Sequence, residues 1–367
     1  MSFGARALIR LGALEHNLGV IRKAAPDARV MAVIKANAYG HGLVTVAQHL
    51  TDVDAFAVAR VSEALLLQEN GIEIPVVLLA GVMSEVELAS AIEHKFEPVV
   101  HCVEQLELLE AAKGGAVTVW VKFDTGMNRL GFPPDQAEQI IRRLKAMRVV
   151  GELRLMTHLA SADELDAATT DEQLARFRPV IEGFEGDVSI GNTPGTFGWP
   201  AVSAARAEFG FEGDNWIRPG ISLFGISPFA DRTGVQLGLK PVMQFEARLI
   251  ASKSLRAGAR VGYKGSYFSD TDTRLGIISA GYGDGYTRHF RSGTPVLING
   301  RRVPLIGNVS MDMIAVDLGA DSRDAVGDIA TLWGDGLPVE EVAPFANAIP
   351  YELVCGVMNR EDSEVVD

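Results

Sequence analysis

Cysteine is nearly missing from this sequence: Cys102 and Cys355 are the only two in 367 residues. That excludes a disulfide framework and a cysteine-based zinc site, and it points to a reducing compartment, the cytoplasm. Basic residues are also in deficit, with 34 Lys+Arg against 47 Asp+Glu and a net charge of −13. No clustered basic stripe compensates, so nucleic acid is not an expected partner. No uninterrupted apolar run approaches the roughly 18 residues of a spanning helix, and no membrane segment is expected. In the opening MSFGARALIRLGALEHN, Arg6, Arg10 and Glu15 interrupt the apolar character, so no secretory leader is expected. The seven histidines show no ligand spacing such as HExxH, and no metal site is expected. Internal repeats and low-complexity segments are lacking as well.

What is present is an ordinary globular composition, 47% apolar and 22% charged, in a chain long enough for two domains with a large core. From about residue 29 to residue 225, short apolar runs alternate with amphipathic stretches. The runs are Val30–Ile34, Ala55–Val58, Val76–Leu79, Pro98–Val100, Val117–Val121, Leu153–Met156, Val188–Ile190 and Ile221–Phe224, the last with a Trp216-Ile217 lead-in. Between them lie helix candidates at Ser62–Leu67, Ser84–Leu88 and Pro134–Met147, each opened by a serine cap or an N-terminal proline. Eight strands alternating with helices specify an α/β fold, a (β/α)8 barrel of the TIM type, over residues 1–234. After about residue 235 the pattern changes to period-two strands with hairpin signals at Asn299-Gly300 and Asp335-Gly336. Residues 235–367 are read as a mostly-β domain, with which the extreme N-terminal strand is free to pack.

The first barrel strand ends in MAVIKANAYGHG, residues 31–42, where an apolar run delivers Lys35 into a small, polar, glycine-bearing turn. A lysine at a random strand end is a surface lysine. At the C-terminal end of a barrel strand, held among apolar neighbours, it is set up for a lowered pKa and Schiff-base chemistry. The segment closely resembles the pyridoxal-phosphate lysine motif of alanine racemases, and the resemblance spans nearly the whole chain.

That resemblance implies a role for the end of each barrel strand. Lys35 would be the Schiff-base lysine and one catalytic base, with Tyr39 giving a hydroxyl to the cofactor phosphate. In Val121-Lys122-Phe123-Asp124-Thr125-Gly126-Met127-Asn128-Arg129, Lys122 matches a lysine that is commonly carbamylated in the family. Arg129 matches the arginine it orients, which contacts both the cofactor and the substrate carboxylate. His158 would stack on the pyridine ring. Gly191-Asn192-Thr193 would place Asn192 and the Thr193 hydroxyl, a serine in much of the family, at the phosphate. Arg218-Pro219-Gly220-Ile221 would set Arg218 against the pyridine nitrogen and the amides of Gly220 and Ile221 on the phosphate. An always-charged guanidinium there disfavours ring protonation, which suits return of a proton at Cα over transamination.

In the second domain Tyr263 matches the family's catalytic tyrosine, with Tyr267 as the rival in the same segment. The family arrangement makes that tyrosine reach the cofactor of a partner subunit, so a homodimer with shared active sites is implied. Met311 and Asp312 match a substrate-contacting pair. By the same resemblance Asp163, Tyr282, Arg288, Asn308 and Asn359 would fall on the substrate-access corridor. Asn308 and Asn359 stand where many members have arginine and tyrosine, which leaves substrates larger than alanine, such as serine, as an alternative. The Gly281-Tyr282-Gly283-Asp284-Gly285 spacing opens no βαβ unit and is not a dinucleotide fingerprint.

The implied activity is interconversion of L- and D-alanine, supplying D-alanine for peptidoglycan, with a small amino acid as substrate. Two other readings share the plan. A basic amino-acid decarboxylase would typically offer an acidic partner to the pyridine nitrogen, against which Arg218 argues. A single-barrel pyridoxal-phosphate carrier would leave the β domain and Tyr263 without a role.

Overall fold

Short runs of Val, Ala and Ile that are apolar on both faces are how strands read when helices cover a parallel sheet. In the computed structural model, which describes residues 4–357 and 364–366, these runs form a closed barrel. After an N-terminal strand β1 (Arg6–Arg10), the barrel strands are β2 (Ala28–Val33), β3 (Ala55–Val58), β4 (Val76–Leu78), β5 (Glu97–Val100), β6 (Val117–Lys122), β7 (Val150–Met156), β8 (Val188–Asn192) and β9 (Asn215–Arg218). Each pairs in parallel with the next, and β9 closes on β2 with Arg29 opposite Trp216 and Val30 opposite Ile217. Inside, the Trp120 and Trp216 rings meet edge to face at 5.7 Å. The Arg154 guanidinium lies 5.4 Å from each ring and is paired with Glu97 at 3.1 Å and Asp187 at 3.2 Å.

The sequence placed the eighth strand at Ile221–Phe224; the structure moves it to the Trp216-Ile217 lead-in. Ile221–Phe224 is a 3-10 turn. The strand begins and ends on polar residues, Asn215 and Arg218, which are nonetheless buried, so the apolar signal shifted past it. The helix expected from Ser62 starts one residue earlier and runs Val61–Glu69. The Glu63 carboxylate in its first turn reaches back to the two residues before it, accepting from the amides of Ala59 and Arg60. Ser84 does cap its helix, accepting from the Glu87 amide.

The chain divides into two compact units. Leu18–Ala38 and Leu43–Leu223 form the barrel unit; residues up to Asn17, Tyr39–Gly42 and the chain from Phe224 onward form the other. The latter is built on the long strand β10 (Met243–Leu255). Its first half pairs antiparallel with β1, and residues Phe245–Arg248 pair with a strand at Ile329–Trp333. Its second half pairs with a strand at Thr273–Ile278. The Asn299-Gly300 signal is a two-residue hairpin joining Pro295–Ile298 to Arg301–Pro304, with φ of 48° and 75° at the turn. Asp335-Gly336 makes only an isolated bridge between Gly334 and Leu337.

Candidate active site

Strand β2 hands over to Lys35 and then to a feature the sequence did not announce. Ala36, Asn37, Ala38 and Tyr39, four consecutive non-glycine residues, take φ between 52° and 55°. Left-handed backbone costs roughly 1–2 kcal/mol per residue, so the surroundings must impose it. The Ala36 amide donates to Glu63 at 2.7 Å, the Ala38 amide to the Ile34 carbonyl at 2.9 Å, and the Asn37 side chain accepts from the Leu43 amide at 2.8 Å. Tyr39 clusters with the β-rich unit, where its buried ring lies 5.1 Å from Phe224 and 6.1 Å from Tyr351. Burial, followed by Tyr351 and Cys355, pushes its phenol pKa up.

Lys122 is the last residue of β6 and is buried. Desolvation first, then the positive charges of Arg218, Arg129 and Lys35, pull its pKa down to about 7, with Asp124 opposing. The same cations surround His158, whose pKa falls well below the usual imidazole range through burial and then Arg218, Lys122, Arg129 and Lys35. Five residues named from the sequence therefore converge on one electropositive cluster.

Arg218 is the most constrained of them. Its guanidinium is buried and donates to the Ser189 hydroxyl, to the carbonyls of Thr157 (2.6 Å) and Ile190 (3.3 Å), and to His158 Nδ1 at 3.4 Å. Because arginine cannot accept, Nδ1 of His158 is the acceptor and a neutral ring carries its proton on Nε2. Burial lowers the Arg218 pKa to about 10, which leaves it charged at neutral pH. Ser189 passes the contact on by donating to the Trp216 carbonyl at 2.7 Å. Sequence reading did not assign Ser189 or Glu63 a part; the signal for Ser189 is a hydroxyl inside the apolar run Val188–Ile190.

Arg129 follows a loop organised by Asp124, whose carboxylate accepts the amides of Gly126, Asn128 and Arg129. Nearby, Thr193 Oγ1 accepts the Gly220 amide at 3.0 Å and lies 3.4 Å from the Ser222 hydroxyl. Ile221 opens the adjoining 3-10 turn. The Asn192 side chain is engaged at both ends, accepting from Gly195 and donating to the Leu159 carbonyl.

In the β-rich unit Tyr263 is 71% exposed, on a turn where Gly262, Lys264 and Gly265 have φ of 74°, 63° and 55°. The Asn308 amide donates to the Tyr263 carbonyl at 3.3 Å. Tyr267 instead packs on the buried cluster of Leu255, Val261, Leu275 and Ile306. The Tyr282 amide donates to Ser310 and that of Gly283 to Met311, which brings these two segments together. Met311, Asp312 and Arg288 are exposed there, and Asp163 is exposed on the barrel unit. Asn359 lies outside the described residues.

Comparison with known proteins adds the family. Residues 9–228 match the model of the alanine racemase N-terminal domain and residues 242–365 that of the alanine racemase C-terminal domain. The alanine racemase of Vibrio cholerae serotype O1 is 46% identical over 97% of this chain and 96% of its own. That of Vibrio atlanticus is 47% identical over 99% of each. Among solved structures, the biosynthetic alanine racemase of Pseudomonas aeruginosa superposes with a TM-score of 0.93 at 37% identity, covering both chains completely. An alanine racemase from Bartonella henselae, described with covalently bound pyridoxal phosphate, gives a TM-score of 0.85 at 28% identity over 99% of each chain. Matched along almost its full length in sequence and in fold, the chain belongs to the alanine racemase family.

Proposed function

We propose that this protein is a pyridoxal-phosphate-dependent alanine racemase, a cytoplasmic isomerase that interconverts L- and D-alanine and so supplies D-alanine for peptidoglycan. The observation that carries the reading is the convergence of Lys35, Lys122, Arg129 and Arg218 around His158.

The donor set fits the cofactor. Its phosphate is a dianion and its substrate carries a carboxylate, and the barrel unit gathers the cations Lys35, Arg129 and Arg218 for both. The hydroxyls of Thr193 and Ser222 with the amide of Gly220, within hydrogen-bond reach of one another, suit the phosphate. Lys35 would hold the cofactor covalently, and His158 and Arg218 would face its ring. Bound there, pyridoxal phosphate supplies an electron sink that makes the substrate Cα–H acidic.

The chain's own residues then move the proton. The Lys35 amine takes or returns it on one face of Cα, and the Tyr263 phenol of a second subunit acts on the other. Arg218 withholds a proton from the ring, since its four contacts fix it as a charged donor. Arg129, with Met311 and Asp312 from the second subunit, orients the substrate. A lysine with a pKa of about 7 has a substantial neutral fraction at physiological pH. Its Nζ lone pair can attack carbon dioxide, forming an N–C bond, opening one C=O π bond and losing a proton to solvent. The resulting carbamate is an anion that would anchor Arg129 by charge-assisted hydrogen bonds.

Homodimerisation is supported by the exposed side chains of Tyr263 (71%), Met311 (51%) and Tyr282 (39%) on the β-rich unit, which a second copy would cover. Among the described residues no helix is long and apolar enough to cross a membrane.

The test is a D-amino-acid oxidase assay on the purified protein given L-alanine, with and without prior borohydride reduction. D-alanine formation that reduction abolishes, together with loss of a visible absorbance band, supports the reading; no D-alanine from cofactor-loaded protein overturns it.

A further inference from the structure

A glutamine without any catalytic chemistry of its own joins the two strand ends on which the barrel site rests. Gln173 lies on the helix Ala168–Ile181 and is completely buried. Its Oε1 accepts the Ala160 amide at 2.8 Å, while its Nε2 donates to the His158 carbonyl at 3.0 Å and to the Thr125 hydroxyl at 3.1 Å. The orientation of the amide group is unambiguous, because a backbone N–H can only donate and a carbonyl can only accept. Gln173 therefore pairs with residues 158 and 160 as a further strand would, just where β7 has ended.

The contact with Thr125 extends the reach. Thr125 and Thr157 hydroxyls lie 2.8 Å apart, and Thr157 donates to the Phe123 carbonyl at 2.9 Å. An amide N–H at one end and a carbonyl at the other fix the direction of this chain, from Gln173 through Thr125 and Thr157 to Phe123. Thr157 also gives its carbonyl to Arg218. From the same helix Arg176 donates to the Thr125 carbonyl at 3.0 Å. A Cβ on Gly126 would meet the Arg176 guanidinium at 2.8 Å and Gln173 Cγ at 3.4 Å, so the loop between Lys122 and Arg129 lies directly on these two side chains. A fully buried side-chain amide with three partners is conformationally fixed.

We propose that Gln173 is a positioning residue for racemisation: its amide sets the His158 backbone and the Asp124–Arg129 loop in one fixed relation, so that His158, Arg129 and Arg218 meet the substrate in register. The proposal rests on the racemase reading and deepens it. A displacement of about 1 Å at a catalytic constellation costs on the order of a hundredfold in rate, and Gln173 is placed to prevent one without touching substrate.

Two variants test it in the cofactor-loaded protein. Gln173→Met keeps the shape and removes all three hydrogen bonds; kcat for L-alanine should fall roughly tenfold to a hundredfold with KM changed by less than about threefold. Gln173→Glu mimics the amide only when protonated, as one acceptor and one donor, so it should approach parental activity in acid and lose it as the carboxyl ionises. Amide hydrogen exchange in segments 124–129 and 157–161 should speed up in Gln173→Met, and this readout needs no turnover. If Gln173→Met keeps parental kcat and parental exchange, or if Gln173→Glu shows the parental pH profile, the positioning role is wrong. If the parent itself makes no D-alanine, the racemase reading fails, and exchange alone then decides whether Gln173 holds the two segments. Should Gln173→Met not fold, the pH profile of Gln173→Glu decides.

Discussion

The carboxylate of Glu63 accepts the backbone N–H of Ala36 at 2.7 Å, so the residue directly after Lys35 is held by the first turn of the helix Val61–Glu69. Glu63 accepts from Ala59 and Arg60 too, at 2.9 and 3.0 Å. One side chain thus serves three amides and anchors the start of the left-handed turn.

Removing that carboxylate should cost both stability and placement of the lysine. Glu63→Ala leaves three backbone donors without their partner, and a lost partner typically costs about 1–3 kcal/mol. Urea unfolding should show a loss of roughly 2–4 kcal/mol, partly relieved by water at this half-exposed position. A loss below about 0.5 kcal/mol would mean the turn holds itself.

The depressed pKa of Lys122 gives a pH signature. Its folded value of about 7 lies below the ordinary 10.5, so between these pH values the unfolded chain binds more protons than the folded one. Stability from this group therefore rises with pH across that window and is lost as pH falls back towards 7. In buffers free of carbon dioxide, Lys122→Met should flatten the pH dependence of the unfolding midpoint over that range. With labelled bicarbonate, the parent should show a carbamate carbon resonance by NMR that Lys122→Met lacks; identical spectra would remove carbamylation from the account.

The barrel interior makes a separate claim about stability. Arg154 lies against both the Trp120 and Trp216 rings and pairs with Glu97 and Asp187. Removing one partner of a buried pair costs about 3–5 kcal/mol, because the remaining charge is left uncompensated. Arg154→Met should show a loss of that order near neutral pH. The Glu97 pKa is already raised, chiefly by burial, with Arg154 holding it down. In the variant it rises further, so the deficit should shrink as acid protonates Glu97. A deficit independent of pH would assign the role to packing on the tryptophans.

Much of this was readable in the residues. Strands buried on both faces leave apolar runs, and seven of the eight runs lie on the strands they announced. The eighth shifted because Asn215 and Arg218 are buried polar residues in a strand, which apolar patterning cannot register. Asn299-Gly300 signalled its hairpin because both positions take positive φ. The left-handed turn was hidden for the opposite reason. Ala36, Ala38 and Tyr39 have no preference for that region, and Glu63, which imposes it, lies 27 residues away. Gln173 was hidden in the same way, since a polar residue on a helix reads as solvent-facing until its three partners are seen. Local preference was informative where the backbone decides, and silent where distant side chains do.

Proton exchange by Lys35 and Tyr263 on opposite faces of the substrate Cα can be followed through exchange with solvent. The cofactor-loaded Tyr263→Phe protein is incubated in deuterium oxide with L-alanine or D-alanine, and deuterium at Cα is followed by NMR. D-alanine should still exchange, through Lys35, without inversion, while exchange into L-alanine should fall by at least about a hundredfold, the scale of a lost acid–base group. Equal exchange rates for the two enantiomers would contradict it.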